Sequence, residues 1–379
     1  MYVKNGLFLF GAAGIGLYGV LYFAIYFIFS NTPVISTLSE RETAYIREEG
    51  QCETRALSFV RTYLMEEDNG IRTNTFSLQD GPDTLSESVG LMMNYSLIRD
   101  HKDLFDREYQ FLNEKLLSDS RLVKWKTGRG EVNCNAVVDD FRIIRALLEA
   151  YELWDEPRYL ETAGQIQESI YSLQVEKGRL YELYDWKGHA AKKSIPLCYL
   201  DLYTMDRSSL FNEGWGEVVN TGTELIKKGR IDGKLPFFYK YYDYNTGKYQ
   251  LDEEYKKGKG ICMIYNLYTL IHLAEMNEDT EFFTDWLQGE MEKGKLFAWY
   301  DPRTLKTTDN MESTAVYALA AVYAKTVGRE DLYCGLVDKL LTFSVTNKNS
   351  LFYGGFGDQA SGRFYSFDNL TALWALAIE

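Results

Sequence analysis

Residues 312–327 read ESTAVYALAAVYAKTV, and a second segment, LYCGLVDKLLTF at residues 332–343, follows after a short connection. As a helix, the first segment would be apolar on almost every side, whereas the second would carry its apolar residues on one face. A helix that is apolar all round belongs in a protein interior, and a helix with one apolar face covers that interior from outside. The two segments therefore predict an inner helix followed by an outer helix.

The same pairing recurs along the chain with a period of roughly 50–65 residues, which is typical of repeat folds. Six inner helices within six outer ones predict an all-α fold, an (α/α)6 barrel, and an open α-solenoid is the alternative. The other apolar segments begin near Glu87, Ala136, Pro196, Ile261 and Asp368, and the more polar segments cover residues 40–65, 104–117, 158–173, 214–228 and 280–291.

Short Tyr-Asp motifs precede several of the predicted inner helices, namely Tyr184-Asp185, Tyr242-Asp243 and Tyr300-Asp301. An Asp followed within a few residues by Gly, Asn or Thr is typical of a tight turn after a strand. We therefore expect short hairpins at one mouth of the barrel, beside the N-termini of the inner helices. Because helix N-termini favour carboxylates and carry unpaired N–H groups, we expect the chemistry of the protein at this mouth.

An uncharged segment near the N-terminus, GLFLFGAAGIGLYGVLYFAIYFIFS at residues 6–30, is long enough to cross a bilayer. Lys4 precedes it and Glu40 is the first charged residue after it, so the positive-inside rule places the N-terminus in the cytoplasm. The alternative is a cleaved signal peptide, although no A-x-A cleavage motif follows the segment. We predict a single-pass anchor within residues 1–30, with residues 31–379 as an extracellular barrel domain held at the cell membrane.

Composition excludes several classes of function. The net charge is −14 and there are no basic runs, which argues against nucleic-acid binding. The five cysteines show no C-x-x-C spacing and there are only three histidines, so we expect no metal site, cofactor, disulfide framework or histidine-based triad. The 29 Tyr, 21 Phe and 7 Trp residues suit a protein that binds carbohydrate, but bulky side chains in a helical core would explain them equally.

Glu87 is a carboxylate in the first turn of a predicted inner helix, within the segment TLSESVGLMM. A partly desolvated glutamic acid has a raised pKa, which is what a general acid requires. The alternative is a structural capping box, in which Thr84 caps the helix and Glu87 stands three residues on.

Asp139 and Asp140 lie side by side near the start of the next inner helix. Adjacent helical residues point about 100° apart, so only one of them can face the cavity squarely. We expect the other to pair with Arg142 or Arg145, because an unpaired carboxylate in an apolar helix is costly.

Two of these segments, TLSESVGLMM and NAVVDDFRIIRALLEAY at residues 135–151, resemble the signature segments of the family 8 glycoside hydrolases. The resemblance implies an inverting enzyme on an (α/α)6 barrel, with Glu87 as the general acid and Asp140 as the carboxylate that holds the sugar. A third segment, IPLCYLD, is similar to the N-P-S-Y segment of that family and implies that Tyr199 lies at the cleft.

Within that family the chain most resembles the membrane-anchored branch encoded with bacterial exopolysaccharide synthesis machinery. This likeness implies a polysaccharide substrate and suggests the synthesis and export machinery as a partner. Around the Asp140 helix we also expect Asp139, Arg142 and Trp125 to contact the sugar, with packing in a hairpin as the alternative for the tryptophan.

The catalytic base is where the chain departs from the family pattern, because Lys256 stands where family 8 cellulases carry the base in a Y-D-A segment. We predict Asp243, in the aromatic segment FFYKYYDYNTGKY, as the base. Its alternative role is that of a turn residue like Asp185, and Asp252 is the second candidate base. The resulting prediction is an inverting endo-hydrolase of an extracellular polysaccharide. The alternatives are a non-catalytic glycan-binding protein on the same barrel and a polysaccharide lyase.

Overall fold

The structure is a computed structural model, and it describes residues 40–76, 83–128, 130, 132–233 and 235–378. The membrane anchor predicted within residues 1–30 lies outside this described part. Across the residues that are described, no helix is both long and apolar enough to cross a bilayer. Residues 49–379 form one compact unit, which holds all but the first residues of the predicted barrel domain.

Inner and outer helices alternate along the described chain. The inner helices are α2 (Ser86–Ile98), α4 (Val137–Trp154), α6 (Leu202–Ser208), α8 (Met263–Glu275), α10 (Thr314–Thr326) and α12 (Ser366–Ala377). The outer helices are α1 (Glu40–Phe59), α3 (Lys102–Phe111), α5 (Pro157–Gln174), α7 (Trp215–Lys228), α9 (Glu281–Glu292) and α11 (Glu330–Leu341). Helices α1 and α3 each run on into a π-helical turn, at Val60–Leu64 and Leu112–Leu116.

The inner helices form a closed ring. Helix α2 packs against α4, α4 against α6, α6 against α8, α8 against α10, α10 against α12, and α12 returns to α2. Helix α10 illustrates why these segments go inside, because every residue from Thr314 to Ala324 is buried. This mostly helical, closed arrangement is that of the predicted barrel, and it differs from the open solenoid that was the alternative.

The third inner helix begins later than the apolar pattern indicates. Pro196 belongs to a short strand, residues 197–199 form a 3₁₀ turn, and α6 starts only at Leu202. The start is fixed by Asp201, whose side chain accepts hydrogen bonds from the backbone N–H and the hydroxyl of Thr204. An aspartate at the N-cap is a stronger start signal than apolar periodicity, which runs continuously through this segment.

Short antiparallel strands fill the connections from each outer helix to the next inner helix. The strands are β1 (Thr84–Leu85), β2 (Lys126–Thr127), β3 (Val175–Glu176), β4 (Arg179–Leu180), β5 (Tyr184–Asp185), β6 (Ala190–Ala191), β7 (Ser194–Pro196), β8 (Tyr241–Asp243), β9 (Lys248–Gln250), β10 (Ile261–Cys262), β11 (Trp299–Tyr300), β12 (Gly357–Asp358) and β13 (Arg363–Phe364).

These strands form six small sheets at the end of the barrel where the inner helices begin. Strands β7, β8 and β9 form one three-stranded sheet, and the others pair as β1–β2, β3–β4, β5–β6, β10–β11 and β12–β13. The hairpins β5–β6 and β8–β9 form at two of the three Tyr-Asp motifs. At the third motif, Tyr300 pairs with Ile261 of β10 and forms a bridge to Thr307. A 3₁₀ turn at Ile231–Gly233 and a helical turn at Glu253–Lys256 complete the connection to α8.

Candidate active site

A cavity of about 380 Å³ lies at this mouth, among the N-terminal turns of several inner helices. Its volume falls in the range of sites that bind small molecules or parts of polymers. It is lined by Leu85, Glu87, Trp125, Cys134, Asn135, Ala136, Val138, Asp139, Arg142, Glu182, Leu183, Cys198, Tyr199, Ile264, Tyr265, Tyr268 and Phe367. Five of the seven side chains predicted for the site are in this lining.

Glu87 is the second residue of α2 and reaches the cavity wall. The capping box that was its alternative role is not formed, because the N-cap is Leu85 and Thr84 belongs to strand β1. Burial raises the pKa of Glu87 to about 7, the negative charge of Asp139 acts in the same direction, and Arg142 opposes both. A carboxyl group with this pKa carries its proton over much of the neutral range and can donate it.

Asp139 lies beside Glu87 and is held by two donors. Its Oδ2 accepts a hydrogen bond of 2.8 Å from the Ser86 hydroxyl, and its Oδ1 accepts one of 2.6 Å from Nη1 of Arg142. Burial raises the pKa of Asp139, whereas Arg142 and Ser86 stabilise its ionised form. Because Glu87 has no such donors at its own carboxyl among the described contacts, we take Asp139 as the ionised member of the pair and Glu87 as the protonated one.

Arg142 packs closely against Gly90 of α2. A methyl group at Gly90 would lie 3.0 Å from both Cγ and Cδ of Arg142. On its other side the Arg142 guanidinium lies 5.6 Å from the ring centre of Tyr268, within the range of a cation–π contact. The guanidinium is thereby fixed in the cavity wall together with its partner Asp139.

Asp140 does not line the cavity, which corrects the expectation that it holds the sugar. Its side chain is completely buried, with Oδ1 accepting from the backbone N–H of Val123 and Oδ2 from Nδ2 of Asn135. Burial raises the pKa of Asp140 to about 8, against the effect of these two donors. These contacts attach the loop before α4 to the helix, and the acidic residue of the pair that lines the cavity is Asp139.

The two aromatic residues predicted for the cleft, Trp125 and Tyr199, are both in the lining. Trp125 is 37% exposed, with the ammonium of Lys126 5.2 Å from its ring centre, so it stands at the edge of the cavity. Tyr199 ends the 3₁₀ turn before α6. Burial raises the pKa of Tyr199 and nearby acidic groups, among them Asp139 and Glu182, raise it further, so its hydroxyl stays protonated.

Glu182 is a cavity carboxylate that the sequence analysis missed. It follows the β3–β4 hairpin, and its Oε2 accepts from the Ser194 hydroxyl at 2.9 Å and forms an ion pair of 2.8 Å with Lys192.

Tyr265 and Tyr268 also line the cavity and were not predicted from the sequence. The sequence could have indicated these two tyrosines, because they lie three residues apart in the first turns of inner helix α8 and both line the cavity.

Asp243 is not among the residues that line the cavity, so the structure does not support its prediction as the base. Its Oδ1 accepts from the backbone N–H groups of Asn245 and Thr246 at the tip of the β8–β9 hairpin. Asp185 makes the same turn with Lys187 and Gly188. Hydrogen bonding within the turn therefore directs the Asp243 carboxylate at its own backbone.

Asp252, the second candidate base, is buried. Its Oδ2 forms an ion pair of 2.7 Å with Lys240, and its Oδ1 caps the helical turn at Glu253–Lys256. It lines a separate small cavity of about 20 Å³, which shares Cys198 and Tyr265 with the larger one. The carboxylates that line the larger cavity are therefore Glu87, Asp139 and Glu182.

The arrangement suits acid–base chemistry on an uncharged, hydroxyl-rich ring. It offers a protonated carboxyl group, an ionised carboxylate paired with an arginine, a second carboxylate on another part of the wall, and several aromatic side chains. In the described part of the chain, the one group of side chains with the geometry of a metal site is Asp201, His272 and Glu275, which lies outside this cavity.

Comparison with known proteins points to one family. The sequence profile of the "Glycosyl hydrolases family 8" matches residues 78–248. A Bacillus subtilis (strain 168) protein named "Putative lipoprotein YdaJ" is 30% identical over 324 residues, which covers 84% of each chain.

Two solved structures extend this likeness. A structure described as a novel alpha-amylase from Clostridium perfringens is 31% identical, with a TM-score of 0.80 over 86% of this chain and 97% of that chain. The crystal structure of PssZ from Listeria monocytogenes is 22% identical, with a TM-score of 0.70 over 86% of this chain and 94% of that chain, and supports the fold alone.

Proposed function

The chain belongs to family 8 of the glycosyl hydrolases, which cleave glycosidic bonds with inversion, and on this premise we propose that it is an endo-acting hydrolase of an extracellular polysaccharide. The observation that carries the proposal is Glu87, a carboxyl group with a pKa of about 7 in the wall of the cavity. An inverting glycosidase needs such a group to protonate the leaving oxygen while a carboxylate activates water on the other face of the sugar.

Glu182 is the carboxylate that we propose for the water, in place of Asp243. Glu182 lies between strands β4 and β5, whereas Glu87 lies in the first turn of α2, so the two carboxyl groups of the cavity lining come from different segments of the chain. The Ser194 hydroxyl and the Lys192 ammonium both contact its Oε2 and orient the carboxylate. In inverting enzymes the two carboxyl groups stand about 6.5–9.5 Å apart, which leaves room for the water.

Asp139 and Arg142 would hold the sugar at the cleavage point. Each still has hydrogen-bonding capacity beyond their mutual contact, because a carboxylate accepts several hydrogen bonds and a guanidinium donates five. Trp125 at the edge of the cavity and Tyr199 inside it offer aromatic faces to neighbouring sugar units. A tryptophan that is 37% exposed at the rim suits a polymer that continues past the cavity, hence endo-cleavage.

The place of action is inferred from the N-terminal segment and from a relative. Residues 6–30 are uncharged and long enough to cross a bilayer, and the Bacillus subtilis relative is named a lipoprotein, which is a membrane-attached class. We propose a membrane-anchored enzyme that acts outside the cell on exopolysaccharide, close to the machinery that makes it. A second candidate substrate is an α-linked glucan, because the 31% identical structure is described as an alpha-amylase.

The test is to incubate the purified full-length chain with starch, a β-1,4-glucan, a β-1,3-1,4-glucan and purified bacterial exopolysaccharides, and to measure new reducing ends. We expect internal cleavage of at least one exopolysaccharide, with products of inverted anomeric configuration by proton NMR. Cleavage of starch alone would favour the second candidate. Binding without new ends would support the glycan-binding alternative, and unsaturated products that absorb in the ultraviolet would support a lyase.

A further inference from the structure

We propose that Asp201, His272 and Glu275 bind one divalent cation of the Zn²⁺ type inside the barrel, at a site separate from the catalytic cavity. The three side chains line a third cavity, of about 40 Å³, which shares Val138, Arg142 and Tyr268 with the catalytic one. One ligand atom from each lies within 4.8 Å of the other two. This proposal is independent of the proposed polysaccharide substrate.

Two buried polar atoms converge in this cavity without a hydrogen bond. Nδ1 of His272 and Oε2 of Glu275 are both buried, and neither has a hydrogen-bond partner among the described residues. They lie 3.8 Å from each other, and Oδ1 of Asp201 lies 3.9 Å from the same nitrogen. Buried polar atoms are nearly always satisfied, so a cluster of this kind calls for a group that contacts all three.

The hydrogen bond of His272 with the backbone leaves its other ring nitrogen available to a metal ion. Its Nε2 lies 3.2 Å from the backbone carbonyl oxygen of Cys198, and only a protonated nitrogen can donate to a carbonyl. In the neutral ring the proton is therefore on Nε2, and the lone pair on Nδ1 points toward two carboxylate oxygens. A histidine that donates one N–H to a backbone carbonyl and offers the other nitrogen is the usual form of a histidine metal ligand.

Both carboxylates are already oriented by other side chains. Thr204 donates to both oxygens of Asp201, and Arg145 donates to Oε1 of Glu275 at 2.6 Å, which leaves Oε2 for a ligand. Such outer contacts fix ligand direction in protein metal sites.

The carboxylates around this cavity outnumber the arginine that pairs with them. Arg145 is the cation next to three carboxylates, because Glu149 also pairs with it and Asp201 lies within its electrostatic range. One arginine offsets one of the three, and two negative charges remain in a largely buried cluster. A divalent cation balances both charges, whereas a proton on His272 would balance only one.

The ligand set selects the kind of cation. One imidazole nitrogen and two carboxylate oxygens match Zn²⁺, which is commonly bound by three such side chains and a water. Bond lengths of about 2.0–2.2 Å place neighbouring ligands of a tetrahedral zinc roughly 3.4 Å apart, so pairs now at 3.8 and 3.9 Å need to close by only about half an ångström. Ca²⁺ and Mg²⁺ require six or more ligands, preferably oxygen.

A cation at this site would connect two parts of the cleft wall, the turn that bears Tyr199 and helix α8. Asp201 stands two residues after Tyr199, and His272 and Glu275 end the helix α8 that carries Tyr265 and Tyr268. A cation between them would fix the 3₁₀ turn that bears Tyr199 against α8. The three ligands are thus positioning residues for the cleft, and their chemistry does not involve the substrate.

The test uses the full-length chain with any affinity tag removed, stripped with a chelator and then titrated with Zn²⁺. We expect one zinc per chain by elemental mass spectrometry, a melting temperature that rises with the logarithm of Zn²⁺ concentration, and visible absorption bands when Co²⁺ replaces Zn²⁺. His272→Gln and Glu275→Gln should each lose zinc affinity by more than about 10- to 100-fold, the typical cost of losing only a supporting contact. The matched control is His101→Gln, which changes an exposed histidine and should bind zinc like the parent chain.

A wild-type chain that takes up no zinc and whose melting temperature ignores Zn²⁺ would overturn the proposal. Equal zinc uptake by wild type and both folded variants would also overturn it, because the metal would then bind elsewhere. Should one variant fail to fold, the other variant and the wild-type stoichiometry still decide. None of these measurements uses a substrate, so they stand whether or not the chain cleaves a polysaccharide.

Discussion

Asp139 and Arg142 form an ion pair of 2.6 Å, one turn apart on helix α4, directly beside Glu87 in the cavity wall. The two charges act on Glu87 in opposite directions, since Asp139 raises its pKa and Arg142 lowers it. Burial is the larger influence and leaves the pKa of Glu87 at about 7. Asp139 and Arg142 thus shift the pKa of Glu87 in opposite directions, and each of them can be substituted separately.

The first prediction concerns the pH dependence of hydrolysis. A general acid works only in its protonated form, so kcat/KM should fall as pH rises through about 7, the pKa of Glu87 in the free protein. Asp139→Asn removes a negative charge and should move this limb to lower pH, whereas Arg142→Gln removes a positive charge and should move it to higher pH. Residual rates across pH 5–9, compared at fixed ionic strength, measure both shifts. Shifts in the same direction would contradict the pairing.

The second prediction separates the two adjacent aspartates. Asp139→Asn should reduce kcat/KM by at least about 100-fold, because it alters a side chain in the cavity wall. Asp140→Asn should keep kcat/KM within a few-fold of wild type but destabilise the fold by about 1–3 kcal/mol, since one of two buried N–H donors would then face an amide NH₂. Denaturant unfolding and initial rates, taken well below both melting temperatures, give the two quantities. The reverse pattern would restore Asp140 as the sugar-binding residue.

The third prediction concerns the base. Glu182→Gln should reduce hydrolysis by orders of magnitude, whereas Asp243→Asn should leave it within a few-fold because Asp243 bonds its own turn. In Glu182→Ala, added azide should restore turnover and give a glycosyl azide of inverted configuration, because a small anion no longer needs a base. A large loss in Asp243→Asn with an active Glu182→Gln would contradict the assignment.

The fourth prediction tests the close contact between α2 and Arg142. Gly90→Ala places a methyl group 3.0 Å from the Arg142 stem, which must shift and weaken the ion pair with Asp139. Alanine is favoured over glycine in a helix by about 0.5–1 kcal/mol, so stability should change little while kcat falls several-fold. Gly216→Ala, where nothing lies within 4 Å, is the control and should leave the rate unchanged. A rate for Gly90→Ala equal to that of the control would show that Arg142 is free to move without consequence.

The helical framework was predictable because inner helices are continuous apolar segments. Helix α2 begins at Ser86 and α4 at Val137, each within one residue of the predicted start. Helix α6 was misplaced because its start depends on a single capping side chain, Asp201, inside an uninterrupted apolar run. The spacing of apolar residues does not indicate where a single capping side chain starts a helix.

The site was predictable only in part, because its geometry depends on contacts between distant segments. Helical spacing limited Asp139 and Asp140 to one cavity-facing residue, but the contact that selects Asp139 comes from Ser86, 53 residues away. Glu182 is held by Ser194 across a hairpin connection, and no pattern in the sequence indicates that pairing. For Asp243 the sequence left two roles open, base or turn residue, and the hydrogen bonds within its hairpin are those of a turn residue.

The most direct test of the role of Glu87 is to measure how the activity of the Glu87→Gln variant depends on the leaving group of the substrate. A glutamine cannot donate a proton, but a dinitrophenyl leaving group departs without one. We predict that Glu87→Gln loses at least about 1,000-fold in kcat/KM on the polysaccharide that the wild type cleaves, while it keeps most of its kcat/KM on the matching dinitrophenyl glycoside. An equal loss on both substrates, or no loss on the polysaccharide, would contradict the role of Glu87 as the general acid.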